Sequence, residues 1–296
     1  MQKIVPHLWF DTEAKEAVEF YVATFGHGSK VTHASVLRDT PSGDCDVLSF
    51  DLRGFSFMAI SAGPYFKANP SISFTVPCKT AEEVDTLWAA LSAGGKIMME
   101  LGEYPFSKKY GWAADRYGVT WQIVLDDGHY PYKGAITPTL MFVGDVAGKA
   151  ADAMKFYASI FPEGKLGDSA RYPAGMEPDK EGTVMHGALH IAGQEFFVMD
   201  SAQKHDFTFN EAISLLVRCK DQAEIDSYWE ALSAVPEAEQ CGWLKDKYGV
   251  SWQIAPAAMD EMMSKGSEEQ IARVTKAFLP MKKFDVAALQ KAYEGK

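Results

Sequence analysis

Residues 110–124 read YGWAADRYGVTWQIV, and residues 241–255 read CGWLKDKYGVSWQIA. Nine of these fifteen positions are identical: Gly111/Gly242, Trp112/Trp243, Asp115/Asp246, Tyr117/Tyr248, Gly118/Gly249, Val119/Val250, Trp121/Trp252, Gln122/Gln253 and Ile123/Ile254. Agreement of that order within one chain marks an internal duplication. A duplication constrains the fold more strongly than any local propensity, because whatever one half folds into the other must fold into as well.

The repeat runs the length of each half. IVPHLWF (4–10) matches ITPTLMF (136–142), and AVEFYVATF (17–25) matches AMKFYASIF (153–161). VLSFDLRGFSF (47–57) aligns loosely with HGALHIAGQEF (186–196), and NPSISFTVPCKTAEEVDTLW (69–88) matches NEAISLLVRCKDQAEIDSYW (210–229). The first copy carries about ten extra residues around GGKIMMELGEYPFSKK, an insertion that a surface connection tolerates.

Alternation and helical spacing give each copy the same elements. A strand over 4–10 leads to a helix that starts near Thr12 and ends before Gly26. Strands follow over 30–38, 45–53, 55–61 and 71–77. Thr80, with Glu83 three residues on, opens a second helix over 80–93 in a capping-box pattern. Three strands close the copy, over 96–102, 110–115 and 119–125. The unit is βαβββ, written twice per copy and four times in the chain. The fold class is α+β, with copies over 1–128 and 134–256 and their boundary in DDGHYPYKGA (126–135). Residues 257–296 have no counterpart, and their helix formers predict a pair of short helices as a C-terminal tail.

Composition excludes several roles. A formal charge of −11 in 296 residues leaves no cationic surplus for nucleic acid or an anionic membrane surface. No run reaches the roughly 18 apolar residues that span a bilayer. MQKIVPHLWF enters a strand directly and does not read as a signal peptide. Cys45, Cys78, Cys219 and Cys241 show no C-x-x-C spacing, so reduced thiols and a cytoplasmic location are expected.

The repeated segments, together with FNEAISL (209–215) and CGWLKDKYGVSWQI, resemble the PhnB-like family of the vicinal oxygen chelate superfamily. That superfamily includes glyoxalase I, extradiol dioxygenases and bleomycin-resistance proteins, and this branch is often labelled demethylubiquinone methyltransferase. The resemblance implies tandem glyoxalase-like domains, each of two βαβββ modules forming a curved mixed sheet, or cup, that holds a small ligand. Single-copy relatives pair as homodimers, so the two copies are expected to act as an intrachain pseudo-dimer, with further self-association possible.

The resemblance also implies a divalent metal in some members, with ligands on the first and last strands of each module. Here Gln122 and Gln253 stand where a ligating Glu is expected, Ser71 and Ala212 stand where a His is expected, and His7 lies near the first position. A neutral amide is a poor donor for a hard dication, so no metal and no other cofactor is expected. A methyl-donor site is disfavoured too. The nearest glycine-rich turn, Gly26-His27-Gly28, follows a helix rather than preceding one.

Two readings remain. One is a protein that binds a small molecule in the cup, with Gln253, Gln122, Asp200, Glu211, Trp243 and His7 as contacts. The other is a lyase, isomerase or dioxygenase-type enzyme, metal-assisted or using His186 as acid or base with Asp200 or Glu211. His186 and His190 share one face of a strand but sit about 13 Å apart along it, too far to bind one ion. If one cup functions, the second copy is expected to supply it. Lys245 and Lys247 read as solvated loop charges.

Overall fold

The computed structural model describes residues 2–128, 132 and 134–296. The expected boundary segment, 126–135, therefore lies partly outside the described residues. The first module comprises β1 (Ile4–Phe10), α1 (Ala14–Phe25), β2 (Lys30–Thr40), β3 (Gly43–Leu52) and β4 (Phe55–Ser61). The second comprises β5 (Ile72–Cys78), α2 (Ala81–Ser92), β6 (Lys96–Tyr104), β7 (Ser107–Ala114) and β8 (Thr120–Leu125). The third comprises β9 (Thr137–Phe142), α3 (Ala150–Ile160), β10 (Lys165–Arg171), β11 (Val184–Ile191) and β12 (Gln194–Asp200).

The fourth module is shorter: β13 (Ile213–Cys219), α4 (Gln222–Leu232), β14 (Trp243–Lys245) and β15 (Ser251–Pro256). The first strand after its helix, the counterpart of β6 expected from the repeat, is missing. The connection from Leu232 to Cys241 is too short for a hairpin and makes a single 3₁₀ turn at Pro236.

Local chemistry sets the helix ends. Thr80 Oγ1 accepts from the Glu83 amide at 3.2 Å, as the capping pattern predicts. The Glu83 carboxylate reaches back one residue further than a capping box requires, to the Lys79 amide. Helix α1 buries Ala14, Ala17, Val18, Tyr21 and Phe25, one stripe at helical spacing.

The strands form two mixed sheets. The seven-stranded sheet runs β14-β15-β13-β1-β4-β3-β2, and the eight-stranded sheet runs β10-β11-β12-β9-β5-β8-β7-β6. Each sheet holds two modules, and those modules come from different copies. In the first sheet β1 pairs antiparallel with β13, Ile4 opposite Val217 and His7 opposite Ser214. In the second β5 pairs with β9, Ser73 opposite Thr139. The chain is thereby its own dimer, joined through continuous hydrogen-bonded ladders.

The cores follow the copies. Trp121, 1 % exposed, packs on Tyr21 and Phe25 of α1, with ring centroids 5.4 and 5.0 Å away. It also meets Phe74 of its own sheet and Phe57 of the other. The second copy repeats this with Trp252 against Tyr157 and Phe161. Each ring buried this way contributes on the order of 2–3 kcal/mol. Hydrogen bonds thus bind copy to copy, while apolar packing binds sheet to sheet within a copy.

The C-terminal tail forms three helices rather than two: α5 (Ala257–Lys265), α6 (Glu268–Phe278) and α7 (Val286–Glu294). The break at Gly266 is followed by a complete capping box at Ser267 and Gln270. Helix α5 continues from β15 yet also packs against β2, five strand positions away. Strands lie about 4.8 Å apart, so a flat sheet would separate these two by about 24 Å. A nine-residue helix is only about 13 Å long. The first sheet therefore curls toward the tail, giving the cup. No helix among the described residues is long and apolar enough to cross a membrane.

Candidate functional site

In-register neighbours on adjacent strands point to one face of a sheet. On the first sheet the register pairs His33 with Ser49, Ser49 with Met58, Met58 with His7, and His7 with Ser214. Ser214 Oγ accepts from Gln253 Nε2 at 2.9 Å, and Gln253 pairs with Trp243. One row thus crosses all seven strands on the face opposite α1 and α4. Four of its members come from the first module and three from the fourth.

The centre of the row is chemically distinctive. His7 is 5 % exposed, its Nδ1 is buried without a partner, and burial lowers its pKa to about 4. A neutral imidazole therefore stands there at neutral pH. Its ring lies edge-on to Trp243 at 5.8 Å, and Trp243 lies edge-on to Trp9 at 6.1 Å. Phe66 and Tyr65 extend this aromatic wall from Trp9. With Nε2 donated to Ser214, Gln253 keeps its Oε1 clear of any described donor.

The corresponding row on the second sheet runs through Ala188, Phe197, Thr139, Ser73, Gln122 and Trp112. Both ends of Gln122 are held within the protein: Nε2 donates to Ser73 Oγ, and Oε1 accepts from the Tyr110 hydroxyl, each at 2.8 Å. In the first sheet Cys241 stands where Tyr110 would, and its thiol turns to the carbonyls of Phe278 and Leu279. Thr139 replaces His7. Tyr132, from the segment joining the copies, packs edge-on over Phe197 at 6.2 Å.

The structure separates several residues that the sequence suggested would act together. His7, Gln253 and Trp243 meet in the first sheet, with Glu211 at its rim in a 2.8 Å ion pair with Lys245. Lys245 is therefore paired rather than solvated. Gln122 and His186 lie on the second sheet, where His186 packs on Phe197 at 4.6 Å and burial lowers its pKa. Asp200 reaches neither row. Its oxygens accept from the amides of Ala150 and Val184, so it caps α3 on the helix face. The proposed pairing of His186 with Asp200 or Glu211 is not assembled, since strand alternation turns Asp200 away and Glu211 belongs to the other sheet. Ser214 and Ser73 stand opposite His7 and Thr139, while Ala212 and Ser71 stand two residues away, bonded to Trp9 and Met141.

Two features escaped the sequence reading. His33 closes the row on β2, and its Nε2 is buried without a partner. The glycine-containing connection 144–149 does lead from a strand into a helix, but Asp200 already sits at that helix N-terminus. Neither has a counterpart in the other copy, so the repeat could not flag them.

The superfamily's divalent metal does not suit this donor set. At the relevant positions the row offers one imidazole, one hydroxyl, one amide and the thioether of Met58, with no carboxylate to supply charge. Among the described residues no three His, Cys, Asp or Glu side chains converge to hold an ion. Two surface clefts, of about 460 and 440 Å³, include neither His7 nor Gln253; Gln194 and Lys165 line one, and Asp44 with Tyr65 of the aromatic wall lines the other.

Comparison with known proteins places this geometry. The family model described as 3-demethylubiquinone-9 3-methyltransferase matches twice, over residues 2–124 and 134–255. A putative 3-demethylubiquinone-9 3-methyltransferase (PhnB protein) from Bacillus cereus is 38% identical over 42% of this chain and 99% of its own, with a TM-score of 0.39. Glyoxalase I from Zea mays covers 88% of this chain and 94% of its own at 13% identity and a TM-score of 0.55. A putative dioxygenase from Bacillus subtilis covers 88% and 89% at 13% identity and a TM-score of 0.51, a likeness of fold alone. A search of curated proteins finds no match. With the family's domain matched in both halves, the chain belongs to the PhnB-like family described as 3-demethylubiquinone-9 3-methyltransferase, two copies on one polypeptide in the fold of the vicinal oxygen chelate superfamily.

Proposed function

We propose that the protein binds a neutral, largely aromatic small molecule in the cup of the first sheet, without a metal. The observation that carries this reading is the row His7–Ser214–Gln253–Trp243, where His7 Nδ1 is buried without a partner and Gln253 Oε1 accepts no hydrogen bond from a described residue. A buried atom like His7 Nδ1 is rare in folded proteins, because leaving it unmet costs about 1–3 kcal/mol. The ligand is uncharged on this reading because the row holds no charged side chain. His7 at its centre is neutral, and the rim charges Glu211 and Lys245 neutralise each other. Trp9, Trp243 and Met58 supply the apolar contact area. The second cup is the weaker candidate, since Gln122 is satisfied internally and Tyr132 lies over Phe197.

Methyl transfer is not part of this proposal despite the family description. Asp200 occupies the helix N-terminus that follows the glycine-containing turn, which leaves that turn unsuited to an anionic cofactor. Asp200 and Glu211, the partners suggested for His186, are engaged elsewhere, with Ala150 and Lys245.

The test compares two ligands on one skeleton, diphenylpropane and para-cumylphenol, by isothermal titration calorimetry. One added hydroxyl should strengthen binding about 3- to 10-fold through Gln253. That gain should vanish in Gln253→Leu while diphenylpropane still binds. An undiminished gain in Gln253→Leu, or binding of neither compound, would overturn the reading.

A further inference from the structure

The tail touches the first sheet from both sides. Helix α5 starts at β15, and its Asp260 accepts from Arg218 Nε on β13 at 2.7 Å. Both α5 and α6 pack against β2 at the far edge. The segment after α6 returns to the near edge, where the amides of Cys241 and Gly242 donate to the carbonyls of Met281 and Lys282, each at 2.7 Å. Among the described residues no helix covers the second sheet in this way, and Tyr132 of the joining segment lies over Phe197 there.

Two further unmet groups lie on these contacting elements. Thr275 is one of the body-facing residues of α6, 4 % exposed, and its hydroxyl has no partner. His33 on β2, the strand against which α6 packs, also keeps its Nε2 buried and unpartnered. His33 belongs to the same row as His7 and Gln253, three strands from His7 and five from Gln253. The sheet's curl turns this end of the row back toward the other. Nature rarely leaves two such atoms unmet on contacting elements.

We propose that the C-terminal helices form the fourth wall of the ligand site, and that His33 and Thr275 make a second polar pole facing the Gln253 pole across the apolar middle. This rests on the cup reading above and narrows it. The ligand class becomes an aromatic or apolar body bearing hydrogen-bonding groups at both ends, not at one. The family match ends at residue 255, so Thr275 lies outside it, while His33 lies within the first match over residues 2–124.

Bisphenol A adds a second hydroxyl at the far end of para-cumylphenol and so probes the second pole on the full-length protein. It should bind about 3- to 10-fold more tightly than para-cumylphenol. Thr275→Val, which removes the unmet hydroxyl at nearly constant shape, should abolish that difference and leave para-cumylphenol affinity unchanged. His33→Phe should do the same, and Thr275→Val should keep or raise the melting temperature, so a folding defect cannot mimic the effect. Equal affinity for the two phenols, or a bisphenol A advantage untouched by both substitutions, overturns the second pole while leaving the cup reading intact. A para-cumylphenol advantage that survives Gln253→Leu, or no binding of any of these compounds, defeats both.

Discussion

The hydroxyl of Tyr21 on α1 donates to Oδ2 of Asp115 at 2.8 Å, joining a helix of the first sheet to the β7–β8 turn of the second. Asp115 also accepts from Trp121 Nε1 and from the amides of Tyr117 and Val119. Asp246 repeats all four bonds with Tyr157, Trp252, Tyr248 and Val250. The residues that recur between the copies, Asp, Tyr, Val and Trp at fixed spacing, are the members of this buried cluster. Burial pushes the Asp115 carboxyl up to about 6, and its four donors pull the other way. In the first copy an anion is thus held between the sheets by hydrogen bonds alone, and burial raises the Asp246 pKa against the same four donors in the second.

Asp115→Asn keeps the shape but replaces an acceptor oxygen with a donor facing donors. The expected loss is about 2–4 kcal/mol in urea unfolding, with about 1–2 for Tyr21→Phe, which removes one bond. Asp246→Asn should match Asp115→Asn, since the two sites are copies. A loss below about 1 kcal/mol at either aspartate would show that the cluster does not hold the sheets together.

Stability should fall in mild acid through His7. Its folded pKa of about 4 lies below the ordinary 6.5, so between those values the unfolded chain binds the proton and the native one does not. The contribution is complete above about 6.5, drains away as pH drops, and levels off below 4. Asp115 acts with opposite sign, because its raised pKa makes the folded chain bind a proton between about 6 and 3.8. Comparing wild type with His7→Leu cancels the Asp115 term. The wild type should lose up to about 3 kcal/mol relative to the variant between pH 7 and pH 4. Parallel curves for the two proteins would contradict a buried neutral His7.

Gly242 fixes the tail to β14. Its φ is +82°, and a Cβ there would stand 2.4 Å from the Phe284 ring. Gly242→Ala should therefore weaken docking of α6 and α7 by on the order of 1–2 kcal/mol, from backbone strain plus the clash. Limited proteolysis should then cut the 279–285 segment about tenfold faster while the sheets persist. Unchanged cleavage would mean the tail is held elsewhere.

Divalent Zn, Ni, Mn or Fe should leave the melting temperature unchanged, because an ion with no site in the native state cannot stabilise it. A rise on addition that a chelator reverses would place a metal in the cup after all.

The two copies, the order of their elements and their buried Trp121 and Trp252 were legible in the sequence, because periodicity and repetition are local properties. The sequence also placed Gln253, His7 and Trp243 on strands, and the register sets them along one face of the first sheet. The loss of the fourth module's first strand after its helix was visible only as a length difference.

Which strands share a sheet was decided by tertiary structure. Strand β1 has two near-identical partners in principle, one in each copy, and sequence likeness between the copies cannot say which it pairs with. The ladder to β13 selects the cross-copy arrangement. That choice puts His7 beside Gln253, leaves His186 with Phe197, and turns Asp200 into a helix cap. Sequence determined which side chains each strand carries and which face they take. Only the fold determined which of them meet, because contacts between distant strands depend on burying both copies' apolar faces at once, a property of the whole chain.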